Sequence, residues 1–236
     1  MERETDVGRI FAEAGERFGY RHVDATFVKC SELKIKWTRQ NRTVEFWVTD
    51  YLKDAPEEVL SSLANTIFSR LHEDADTPYD DSVIAYLESE DFIRENQPVY
   101  VSRLGCASAS PVGMYKDLRR SVKSLVSEEL IEGIPDNLYY GWLPVGLGDC
   151  AGHASGLMRS IVINTRLDRA EVDDEILDFC MYMQIVKMQQ GSLLEGPRRM
   201  NSEYLKRVEE YPGSERLLSE IGKLGLSPWK ALSPEC

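Results

Sequence analysis

The stretch EVDDEILDFCMYMQIVKMQQ, from Glu171 to Gln190, constrains the fold more than any other part of the chain. Val172, Ile176, Phe179, Cys180 and Met183 recur at the spacing of one helical face, while Leu177, Met181, Ile185 and Met188 cover the opposite side. A helix that is apolar most of the way round belongs in a core, so other elements must wrap it. Gln184 and Lys187 then stand on a helix with little solvent-facing surface, where a polar group needs a partner and a lone ammonium is costly.

With 236 residues and a 42% apolar fraction, the chain has material for one large domain or two small ones built around such a helix. The opening MERETDVGRIFAEAGERF is charged and then amphipathic, unlike a secretory signal, and no later stretch approaches a membrane span. A cytoplasmic protein without membrane contact is the expectation. Cys30, Cys106, Cys150, Cys180 and Cys236 are scattered, odd in number and without a C-x-x-C pair, which predicts reduced thiols and neither a disulfide framework nor a thiolate zinc site. A net charge of −12 repels phosphate backbones and disfavours general nucleic-acid binding.

The elements around the central helix follow from periodicity. Val7, Ile10, Phe11, Ala14 and Phe18 stripe an opening helix closed by Gly19. Three alternating runs predict a small antiparallel meander: Val23, Ala25 and Phe27; Leu33, Ile35 and Trp37; Val44, Phe46 and Val48, with Gln40-Asn41-Arg42 as the turn of the last hairpin. Asp54-Ala-Pro-Glu57 opens a long amphipathic helix through Leu71, and shorter helices are predicted for 82–87 and 90–95, the second ended by Gln97-Pro98. A helix over 117–130, an extended segment over 138–143, a glycine-rich loop over 146–156 and a strand over 157–164 precede the central helix. Asn201 and Ser214 each open a further helix, and Gly225 ends the last. The fold class is α+β, with residues 1–52 as a helix and strands packed on a main domain of residues 53–236, one globular unit overall.

The order strand, aspartate-bearing turn, helix in SIVINTRLDRAEVDDEILDFCMYMQIVK resembles the YgjP-like and SprT-like zinc metallopeptidase domains. Trp37, FWVTDYL at 46–52, DAPEEV at 54–59, the Trp142 strand, SGLMR at 155–159 and RMNSEYLKRVEEYP at 199–212 are similar, in the same order, to an archaeal branch of those peptidases. The resemblance implies a zincin-like fold across roughly residues 25 to 224 and, in an active member, an H-E-x-x-H helix with a third histidine on the following helix. Here Met183, Gln184 and Lys187 occupy the first helix positions, and Met200 stands where the third histidine would be. Residues four apart share a helical face, which is why H-x-x-x-H can hold zinc. A thioether is a weak zinc ligand, a protonated lysine repels a dication, and Gln184 cannot take the proton that the motif's glutamate removes from bound water. Lys187 either occupies the place of the missing cation and meets a carboxylate, or snorkels to the edge of a groove.

The resemblance therefore implies a catalytically inactive relative, with no cofactor, no metal and no catalytic residue, that serves as a binding or scaffolding protein for a protein partner. Two alternatives come from other residues. Cys150 and His153 form C-x-x-H in the glycine-rich loop, and with acidic residues they would make a non-standard metal-dependent hydrolase. Lys116, Arg119, Arg120 and Lys123 recur at i, i+3, i+4 and i+7 and make a basic helix face for RNA or an acidic partner.

Overall fold

The computed structural model describes residues 6–72, 77–106, 110–143, 148–189 and 202–230. They form an α+β protein with eight helices and two three-stranded sheets among the described residues. The chain divides into two compact units, the first ending at Asn96 and the second beginning at Gln97.

In the first unit, helix α1 (Val7–Arg17) starts where the Asp6 carboxylate accepts from the Arg9 backbone N–H at 3.0 Å. The turn after it places Gly19 at φ 77°, a left-handed conformation that glycine adopts without penalty. Strands β1 (His22–Val28), β2 (Ile35–Gln40) and β3 (Thr43–Thr49) form a sheet in the order β1-β3-β2. The hairpin of β2 and β3 is antiparallel as expected, and Asn41 at its tip has φ 56°. The meander is corrected, because β1 runs parallel to β3 and β3 takes the centre. Val44, Phe46 and Val48 are fully buried on one face of β3, whereas Lys36, Thr38, Arg39 and Gln40 of β2 suit an exposed edge. Trp37, expected to point inward, is 48% exposed on that edge.

Helix α2 (Glu57–His72) belongs to this unit. Its Phe68 ring lies 5.3 Å from Phe46 and 5.2 Å from Tyr20, and Phe46 lies 4.9 Å from Phe11. The break between units therefore falls after Asn96, later than the 52/53 division expected from the sequence. Helix α3 (Asp81–Leu87) follows, and α4 (Glu90–Arg103) continues through Pro98 instead of ending there. A proline inside a helix removes one backbone bond, and here tertiary contacts outweigh that loss. Gln97 donates its amide to the carbonyls of Asn137, Met158 and Arg159, each at 3.0 Å, and Tyr100 and Val101 beyond the proline are buried.

The second unit wraps helix α6 (Asp174–Gln189), in which every residue from Phe179 to Val186 is buried. Phe179 and Tyr182 each pack 4.8 Å from the Tyr211 ring, and the Tyr182 hydroxyl donates to the Arg207 carbonyl at 3.0 Å. Helices α5 (Leu118–Ser127), α7 (Ser202–Glu210) and α8 (Ser214–Lys223) contribute to the same core. Its sheet has the order β4-β6-β5, with β4 (Tyr139–Leu143) parallel and β5 (Gly152–Ser155) antiparallel to the fully buried central strand β6 (Ser160–Asn164). Two expectations are corrected here. The glycine-rich segment contains strand β5, and β6 begins at Ser160, three residues later than expected, after a turn with Arg159 at φ 41°. A glycine at 152 permits this packing, since a Cβ there would meet Gln184 Cγ, Ile163 Cδ1 and the Val162 carbonyl at 3.0 Å each.

Cys106, Cys150 and Cys180 are free, buried thiols, but Cys30 is disulfide-bonded, which corrects the expectation of five reduced cysteines. Among the described residues no helix is long and apolar enough to cross a membrane.

Candidate functional site

On α6 the three sequence-selected residues have different fates. Met183 is fully buried and Gln184 is 1% exposed, whereas Lys187 is exposed. Gln184 lies against Gly152 of β5, and its Oε1 accepts from no group among the described residues. A buried amide oxygen without a donor costs free energy on the order of 1–3 kcal/mol, so Gln184 is a poor choice for packing alone. Met200 lies outside the described residues.

Cys150 and His153 are not brought together. The backbone at Ala151 continues the β5 pairing by accepting from Asn164 at 3.0 Å, and alternation along that extended segment puts residues 150 and 153 on opposite faces. Burial pushes the Cys150 thiol pKa up, despite the nearby Lys187 charge acting the other way, so the thiolate needed for nucleophilic attack or zinc ligation is disfavoured. His153 is buried with Nε2 2.8 Å from the Tyr100 hydroxyl. Among the described residues no three His, Cys, Asp or Glu side chains come together as a donor set for a metal.

The basic face of α5 is half neutralised. Lys116, 13% exposed, reaches Asp174 with Nζ 2.5 Å from the carboxylate, and Arg119 grips Asp117 in bidentate fashion at 3.0 and 2.7 Å. Arg119 holds the Asp117 carboxyl below its ordinary pKa, and Asp117 in turn caps α5 through the Arg119 N–H. Arg120 and Lys123 are exposed.

A clamped surface turn is one feature that sequence reasoning missed. Gly113 to Lys116 form a tight turn closed by a 2.8 Å bond from the Gly113 N–H to the Lys116 carbonyl, flanked by an antiparallel bridge between Val112 and Asp117. Asp168, in the turn after β6, accepts from three consecutive backbone N–H groups: Met114 at 2.6 Å, Tyr115 at 2.9 Å and Lys116 at 2.9 Å. Its carboxylate fills the hollow of the turn so closely that a Cβ on Gly113 would lie 2.3 Å from Oδ2. Trp142 Nε1 donates to the Pro111 carbonyl at 3.2 Å, and the Lys116–Asp174 pair ties the far end to α6. This rigid mount presents apolar side chains to solvent: Met114 is 82%, Tyr115 58% and Val112 47% exposed. No family model matches the chain, and no curated protein or solved structure matches it.

Proposed function

We propose that this chain is a catalytically inactive, zincin-like relative of the zinc metallopeptidases, acting in the cytoplasm by holding a protein partner. The observation that carries the binding role is the clamped turn at 112–116. Exposed methionine and tyrosine contribute nothing to the folded core, yet three charge-assisted hydrogen bonds and an ion pair fix the backbone that displays them. A pre-ordered apolar tip loses little conformational freedom on docking, and Met and Tyr are residue types enriched at protein interfaces. Loss of catalysis is supported by α6, where a buried thioether, a buried amide and an exposed ammonium replace two imidazoles and a carboxylate. The RNA reading has less support, since two of its four cations are already held by Asp117 and Asp174.

The test compares partner capture from the native host by the wild-type chain and by Met114→Asp/Tyr115→Asp, which leaves every hydrogen bond of the turn's backbone available. The reading expects a partner retained by the wild type and lost by the variant at unchanged melting temperature. Identical partner sets for both proteins would remove the turn from the interface.

A further inference from the structure

We infer that the first unit carries a binding site for a small oxyanion, a phosphate or carboxylate group borne on a compact planar molecule. The site is a cavity of about 310 Å³ lined by Phe18, Gly19, Tyr20, Arg39, Asn41, Arg42 and His72. Among the described residues no carboxylate lines it, although the chain has 40 acidic against 28 basic residues. Arg39, Arg42 and His72 thus line one cavity in a protein whose mean field repels anions, and among the described lining residues the charge is opposite to the global one.

The cationic groups are mounted on fixed backbone. Arg39, on the edge strand β2, donates from Nη1 to the Leu71 carbonyl at 3.0 Å, and its Cζ lies 5.6 Å from the centre of the Tyr20 ring. One nitrogen of the fork is thus engaged and the others remain as donors. That bond also offsets the negative end of the α2 dipole, which would otherwise oppose an anion beside His72. The Arg42 carbonyl accepts from the Arg21 N–H at 2.9 Å, so the backbone is held while its guanidinium pairs with no acidic side chain among the described residues. Tyr20 is 7% exposed, and its buried hydroxyl has no hydrogen-bond partner among the described residues. The Phe18 ring, 6.2 Å from the His72 ring, supplies an apolar wall.

Size and lining select the ligand class. A cavity near the lower end of the roughly 300–1,000 Å³ range for small-molecule sites exceeds a bare tetrahedral anion and accommodates an anionic head with a ring beside it. Guanidinium forks match phosphate and carboxylate oxygens bidentately, and the aromatic wall favours a flat substituent.

The experiment titrates the intact chain with inorganic phosphate, phenyl phosphate and benzoate, read by calorimetry and by amide shifts. Binding of phenyl phosphate or benzoate with Kd at or below about 1 mM is expected, with the stronger of the two identifying the head group. Arg42→Gln, whose side chain has no partner to lose among the described residues, should weaken binding about tenfold, while Arg120→Gln on α5 should leave it unchanged. Absence of binding by all three probes, or equal weakening by both variants, overturns the site. Shifts confined to residues outside 18–20, 39–42 and 72 overturn it as well.

Discussion

Removing the Asp168 carboxylate should release the turn that it organises. Three N–H groups at 2.6, 2.9 and 2.9 Å converge on its two oxygens, with Met114 on Oδ2 and both Tyr115 and Lys116 on Oδ1. A hydrogen bond to a charged acceptor contributes about 1.5–3 kcal/mol when water is excluded. The donors here belong to exposed or half-buried residues that water can reach, so each bond is valued nearer 0.5–1 kcal/mol and Asp168→Ala should cost about 2 kcal/mol in total. Asp168→Asn separates the contributions. An amide oxygen at the Oδ1 position still accepts from Tyr115 and Lys116, but the amide nitrogen then confronts the Met114 N–H, donor against donor. Hydrogen exchange resolved by residue reads this directly: all three amides lose protection in the alanine variant, and Met114 loses most in the asparagine variant. Unchanged exchange at all three in Asp168→Ala would refute the clamp, and with it the claim that the apolar tip is pre-ordered.

Other outcomes follow from the core. Phe179→Ala should lower stability by about 3–5 kcal/mol in denaturant unfolding, because a fully buried ring packed on Tyr211 leaves a cavity that α6 cannot close; a loss below about 1 kcal/mol would mean the helix is peripheral. Asp178 has its carboxyl pKa raised by burial, with Ser121 and Ser124 hydrogen bonds acting in the opposite sense. The folded state then holds the Asp178 proton more tightly than the unfolded state, so this group's contribution is full below the ordinary carboxylate pKa of about 3.9 and is lost as pH rises through the raised value. Asp178→Asn should therefore be more stable than wild type at neutral pH, with the advantage shrinking toward pH 4 in thermal melts; an advantage that grows on acidification would reverse the assignment.

The parts of the fold that depend on local periodicity were legible in the sequence. The buried α6, the striped α1 and α2, the hairpin at Asn41 and the Gly225 stop all follow from spacing and turn chemistry over a few residues. What escaped was decided by contacts distant along the chain. Pro98 stays helical because Gln97 bonds to carbonyls 40 to 62 residues away, and β5 forms because Gly152 admits Gln184 of α6. The parallel pairing of β1 required knowing which strand lies beside it in the sheet, information that alternation in β1 alone does not hold. Asp168 was visible only as part of a strand-turn-helix pattern, and its role depends on a turn more than 50 residues earlier. A glycine two residues ahead of an aromatic was the only local signal of that turn, and it does not by itself distinguish a displayed tip from an ordinary loop.

The reading of α6 as a helix without a metal site is tested most directly by zinc content. Met183, Gln184 and Lys187 offer no imidazole or carboxylate at the four-apart positions, and the described residues assemble no alternative donor set. Purified chain equilibrated with excess zinc and then dialysed should retain well below one zinc per chain by elemental analysis, and a chelator should leave its melting temperature unchanged. One tightly held zinc per chain, with a melting temperature that falls on chelation, would contradict the account.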